Sequence, residues 1–218
     1  MYLEAALVAD TLAQQGEPTV FSPISYEMLS QAYSLYEGSV SDSVVQLKCV
    51  TAIIGTLMAC GGLTESDYES LITKSAQLSA KLVKKPDQCR MVALCAHLFF
   101  PASKGESFGY RNAQRSLECL QRSLKLADSC TTANSANVEL FVELLEHYLY
   151  LFEKKSPTIS AGYITGLVSL IKEHLNNLSG SVGVMEAKNH FMGIIREIKR
   201  KKEAEKTSAY FADVQVTA

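Results

Sequence analysis

Apolar positions along this chain recur three and four residues apart, and almost nowhere in strict alternation. The segment ELFVELLEHYLYLFEKK shows the pattern best: Phe141, Leu144, Leu145, Tyr148 and Phe152 form one stripe, while Glu139, Glu143 and Glu146 lie on the other side. A stripe of that period is the signature of an amphipathic helix. Read this way, the sequence predicts about nine helices, over 2–15, 22–38, 41–60, 64–84, 86–100, 110–130, 136–154, 158–175 and 184–205. Two segments, VVQLKCVTAIIGTLMAC and MVALCAHLFF, are apolar on more than one face. That suits helices touching neighbours on several sides.

Start and stop signals punctuate the pattern. Pro23 follows Ser22 at one expected start, and Ser41 is the expected N-cap of the next helix with Asp42 in its first turn. Gly61 and Gly62 close a helix, and Thr64 with Asp67 opens another in a capping-box arrangement. Pro86 opens the helix that carries Cys89, Val92, Cys95, Ala96 and Phe99 on its inner face. Pro157 prevents continuation past Lys155. The stretches 101–112, 131–137 and 177–183 read as connecting loops. The helices come in pairs, and starts at Ser22, Thr64, Tyr110 and Thr158 are separated by 42, 46 and 48 residues. Two-helix solenoid repeats recur at about 40–47 residues. The expected fold is all-α, a right-handed two-layer α-solenoid of HEAT-like helix pairs, with a compact helical bundle as the alternative. One domain is expected over 1–206, with 207–218 as a flexible tail.

Composition narrows the function. Of 218 residues, 47% are hydrophobic and 20% charged, with a net charge of -2. This is globular composition without the basic domain of a dedicated nucleic-acid binder. The opening residues lack a basic n-region, so no secretory leader is expected, and no apolar run reaches membrane-spanning length. The six cysteines contain no CxxC pair and read as free, mostly buried thiols. Cys95 and His97 would point about 200° apart on a helix and cannot share one metal ion. Cys89 lies in a first turn, where a thiolate is favoured, but Asp87 beside it opposes ionisation. The glycines of IIGTLMACGGLT lack the Lys-Ser/Thr of a phosphate loop. No catalytic residue, metal or cofactor is expected. The basic run Lys199–Lys202 ends an amphipathic helix whose stripe is Phe191, Ile194, Ile195 and Ile198. It reads as cations complementing the helix dipole, with an acidic membrane surface as the alternative target.

Four ordered landmarks then resemble one family. They are QAYSLYEGSVSDSVVQLKCVTAIIGTL, KLVKKPDQCRMVALCAHLFF, SLECLQRSLKLADSC and VELFVELLEHYLYLFEKK. All resemble the C-terminal region of the vacuolar protein sorting-associated protein 35 family, the scaffold subunits of retromer, from about Ile24 to about Arg200. The resemblance implies a C-terminal part of a longer scaffold. Its concave face would hold the phosphoesterase-fold subunit, vacuolar protein sorting-associated protein 29. The arrestin-like subunit would bind a more N-terminal region, and the coat would sit peripherally on endosomal membranes, reached from the cytoplasm. It also implies pairing with a second copy. Glu37 and Asp42 match acidic positions of that contact and Lys125 a basic one, while Gly38, Ser39 and Gln121 depart from the charged pattern. Exposed aromatic and basic residues on the second helix of each pair are the expected partner anchors: Arg90, His97, His147, Tyr148, His190 and Phe191. The alternative is a divergent helical adaptor that binds an acidic membrane surface or another trafficking protein.

Overall fold

The computed structural model describes residues 1–101, 109–178, 182–205 and 207–216. Ten α-helices follow in order: α1 (Tyr2–Gln14), α2 (Pro18–Ser39), α3 (Ser43–Ala59), α4 (Glu65–Ser79), α5 (Lys85–Phe99), α6 (Ala113–Ala133), α7 (Glu139–Glu153), α8 (Ala161–Asn176), α9 (Val182–Glu203) and α10 (Ser208–Phe211). A 3₁₀ turn, Ser135–Val138, precedes α7. No strand occurs among the described residues, and the all-α reading holds. The loops expected at 101–112 and 177–183 fall partly outside those residues.

Local chemistry explains most boundaries and corrects several expected ones. Asp42, not Ser41, caps α3: its carboxylate accepts the Val44 and Val45 N–H groups at 3.0 and 2.9 Å. The Thr64 hydroxyl accepts the Asp67 N–H at 3.2 Å and donates to the Asp67 carboxylate at 2.8 Å, completing the expected box. α1 stops where Gly16 takes φ 134°, a conformation open to glycine but strained for other residues. α2 then begins at Pro18, one turn before the expected start, so Pro23 lies inside the helix rather than at its entrance. α4 ends at Ser79 rather than 84, and a turn over 80–84 buries Leu82 before α5 begins at Lys85. The Asn112 side chain accepts the Arg115 N–H at 3.0 Å at the start of α6, three residues after the expected position.

Contacts divide the chain into two compact units, residues 1–119 and 120–218. In the first, α1 packs on α2, α3 on α4 and α5, and α4 on α5. This nearest-neighbour packing is how stacked helix pairs bury their apolar faces. Leu29, Tyr33, Ile54, Leu57, Tyr68, Ile72, Leu98 and Phe99 form its core. The buried tyrosines are satisfied across helices. The Tyr33 hydroxyl donates to the Leu71 carbonyl at 2.8 Å and the Tyr68 hydroxyl to the Leu98 carbonyl at 3.1 Å. Burial pushes both phenols well above their ordinary pKa. Cys89, Val92, Cys95, Ala96 and Phe99 are all buried, as the periodicity predicts. The Cys95 thiol lies 3.4 Å from the Ser79 hydroxyl, and burial pushes its pKa up to about 12.

In the second unit α7 packs on α8 and α9, and α10 on α9. The expected stripes of α7 and α9 are buried in full. The His174 ring stacks on Phe141 at 5.1 Å. Residues 207–216, read from sequence as tail, instead pack down. Phe211 and Val214 are buried, and Tyr210 stacks on Phe152 at 4.3 Å while its hydroxyl donates to the Phe152 carbonyl at 2.7 Å. The Gln215 N–H adds a bond to the Thr165 hydroxyl at 3.0 Å. A single aromatic pair with one cap-poor turn carries too little local pattern to announce this docking in sequence.

Candidate interaction surface

In the first unit, Arg90 and His97 lie seven residues apart on α5, two turns that return to nearly the same face. Both are half-buried. Glu37 is exposed near the end of α2 and pairs with Lys74 of α4 at 2.9 Å. Asp42 is exposed too, but its carboxylate is committed to the cap of α3. Both acidic positions are therefore already engaged within the chain.

In the second unit, His147 and His190 are half-buried and Lys125 is exposed. The His190 Nε2 lies 3.0 Å from the Glu146 carboxylate, which ties α9 to α7 next to His147. Burial lowers the pKa of His147, although Glu146 and Glu143 pull the other way. Tyr148 and Phe191 do not have the exposure expected of anchors. Tyr148 is 0% and Phe191 2% exposed, because both sit on the core stripes of their helices. Tyr148 stacks on Tyr163 at 5.7 Å instead. Their polar neighbours, His147 and His190, are the less buried members of each pair.

The sequence did not reveal the recess between α7 and α9. It has a volume of about 450 Å³, an apolar floor at Leu149 and Ile194, and Glu146, Glu153, His190 and Glu197 around it. Its only sequence signal was the glutamate side of α7; the α9 wall depends on packing. The basic run pairs with two of its glutamates. Lys201 pairs with Glu153 and, at 3.7 Å, with Glu197. Arg200 grips Glu197 through two bonds, 2.8 and 2.7 Å, and this pairing lowers the pKa of Glu197. Lys202 donates to the Val214 carbonyl at 2.8 Å. Three of the four cations of the run, Arg200, Lys201 and Lys202, thus have partners within the chain. Among the described residues no three His, Cys, Asp or Glu side chains converge as a metal site would require, and no helix is long and apolar enough to cross a membrane.

A polar knot lies elsewhere in the first unit. Asp10, buried on α1, accepts the N–H groups of Gly61 and Gly62 at 2.9 and 2.8 Å and the Gln14 amide at 2.6 Å. It fastens the α3–α4 turn to α1 across 51 residues of sequence. A Cβ on Gly62 would come within 2.9 Å of both the Ala13 Cβ and the Asp10 carbonyl. The double glycine is therefore a close approach as well as a helix stop.

A helical chain with these landmarks can be set against known families. The family model described as vacuolar protein sorting-associated protein 35 matches residues 1–174. The chain belongs to that family. Among curated relatives, vacuolar protein sorting-associated protein 35 of Schizosaccharomyces pombe is 38% identical over 179 residues, 82% of this chain and 20% of that protein. Proteins 35A and 35B of Arabidopsis thaliana are 39% and 35% identical over 178 and 193 residues. Those matches cover 79% and 86% of this chain and 21% and 24% of the relatives. The chain thus spans about a fifth to a quarter of the length of these family members. α9 and α10 lie beyond the residues that the family model matches.

Proposed function

We propose that this chain is a non-catalytic scaffold segment of a retromer-type sorting coat. It binds the phosphoesterase-fold subunit, vacuolar protein sorting-associated protein 29, and acts peripherally at endosomal membranes in retrograde and recycling transport of membrane proteins. The observation that carries this reading is the family match over residues 1–174. Stacked helices suit such a role, since a row of packed pairs presents a long, rigid surface without needing a pocket for chemistry. The half-buried Arg90 and His97 in one unit, and His147 and His190 in the other, are the proposed contacts. Tyr148 and Phe191 support them from beneath. Pairing with a second copy through Glu37, Asp42 and Lys125 would have to compete with Lys74 and the α3 cap, which already hold the two carboxylates.

The test is direct. The chain and purified vacuolar protein sorting-associated protein 29 are mixed at micromolar concentration and run on gel filtration. One co-eluting peak is expected, weakened by alanine at Arg90, His97, His147 and His190 together. Two separate peaks would sink the proposal.

A further inference from the structure

The docked segment 207–216 is held by chemistry that reads a peptide rather than a helix face. Val214 C=O and Gln215 N–H belong to one peptide group. The Lys202 ammonium of α9 donates to that carbonyl at 2.8 Å, and the Thr165 hydroxyl of α8 accepts that N–H at 3.0 Å. Both edges of a single peptide unit are thus bound by side chains of the second unit. Ahead of this clamp, Phe152 of α7 forms an aromatic shelf. Tyr210 stacks on it at 4.3 Å and Phe211 meets it edge-on at 5.2 Å, with the Lys201 ammonium over the Phe211 ring at 5.8 Å. Phe211 and Val214 are buried, while Ala212 and Asp213 between them are exposed.

The segment contributes little to its own order. α10 is four residues long, too short to persist alone in water. Among the described residues, the backbone–backbone hydrogen bonds of 207–214 stay within 204–214, and none reaches α7 or α8. The segment is therefore held by the shelf, the clamp and two buried side chains, a set that another peptide of the same pattern would satisfy equally. Aromatic anchors and main-chain hydrogen bonds are the means by which grooves take peptides. We propose that this seat on α7, α8 and α9 is a peptide-docking groove that residues 207–216 close in cis. The partner it fits is a protein segment with two adjacent aromatic residues and an aliphatic residue three positions after the second. Its aromatic pair takes the Phe152 shelf, and the peptide group after its aliphatic residue takes Lys202 and Thr165. The inference goes beyond the sorting-coat reading and uses none of the contacts proposed there.

The experiment titrates a fluorescein-labelled peptide with the sequence of residues 207–216 against the full chain and follows fluorescence anisotropy. In wild type the chain's own segment competes for the groove. Binding is therefore expected to be at least about tenfold weaker than to the full chain carrying Phe211→Ser and Val214→Ser, which frees the seat. Thr165→Val added to that variant removes the N–H acceptor and is expected to weaken the peptide about fivefold. A peptide carrying the same two serines is expected not to bind. Amide exchange of the wild type needs no variant: Phe211, Val214 and Gln215 are expected to exchange by local opening, ahead of the buried amides of α7. The proposal is overturned by no binding to a double variant that keeps its helical circular dichroism, or by equal binding to wild type and double variant. It is equally overturned by binding of the serine peptide, by an unchanged affinity with Thr165→Val, or by exchange of the three amides only together with α7.

Discussion

Removing the Asp10 carboxylate puts a long-range polar tie of the first unit to a quantitative test. Asp10→Ala leaves the Gly61 and Gly62 N–H groups and the Gln14 amide without their acceptor. Hydrogen bonds to a charged acceptor each contribute about 1.5–3 kcal/mol. Three of them would suggest a large loss, but both glycines are half-exposed, so water replaces part of what is removed. Burying the carboxylate also carries a desolvation cost that alanine relieves. These corrections bring the expected destabilisation to about 3 kcal/mol. Asp10→Asn keeps one acceptor oxygen and is expected to cost about half as much. Urea titration followed by far-UV circular dichroism measures the change. With a slope of about 2 kcal/mol/M, the midpoint of the first unit falls by about 1.5 M. Amide exchange gives a local readout: Gly61 and Gly62 lose protection in Asp10→Ala before the core of the unit does. Gly62→Ala is the steric companion, because its methyl would sit 2.9 Å from the Ala13 Cβ and the Asp10 carbonyl. It is expected to cost about 1–3 kcal/mol through displacement of the same turn. A loss below about 1 kcal/mol in Asp10→Ala, with both glycine amides still protected, would refute the assignment of this knot as a structural clamp.

Three further outcomes are expected. Asp42→Ala removes the cap of α3 and costs about 1 kcal/mol in a thermal or urea melt, while Ser41→Ala is close to neutral; the reverse order would return the cap to Ser41. Cys95, with its pKa pushed up to about 12, has roughly a thousandfold less thiolate near pH 8 than an ordinary cysteine, so mass-mapped iodoacetamide labelling of the native protein should reach the half-buried Cys49 and Cys119 first; early labelling at Cys95 contradicts its burial. His147 has a lowered folded-state pKa, so the unfolded chain takes up its proton first as pH falls. Its contribution to stability is full above about 6.5 and is lost as pH falls from there toward the folded value. Comparing urea midpoints of wild type and His147→Gln between pH 7.5 and 5.5 isolates the effect, and parallel profiles would count against it.

The local grammar of this chain was readable from sequence because helices are local objects. A stripe such as Phe141, Leu144, Leu145, Tyr148 and Phe152 places its own buried face, and Thr64 with Asp67 closes its own cap within four residues. The errors arose where two local readings compete. Ser41 and Asp42 are both good caps, and the choice falls to the one whose oxygen reaches the Val44 and Val45 N–H groups. Pro18 and Pro23 are both good helix openers, and the earlier one wins because the turn at Gly16 brings α2 back onto α1. Tyr148 and Phe191 fit both a core stripe and an exposed aromatic anchor, and their burial decides for the stripe.

The sequence by itself therefore determined the class of the fold, the helix stripes and the family that the chain belongs to, since each is written within short windows or ordered landmarks. Only the tertiary structure decided which polar groups meet. Asp10 finds Gly61, His190 finds Glu146, Lys201 finds Glu153, and Tyr210 finds Phe152, pairs that lie 51, 44, 48 and 58 residues apart. No periodicity encodes such a pairing, because it depends on the crossing of one helix over another, and that is set by the whole set of packed side chains between them.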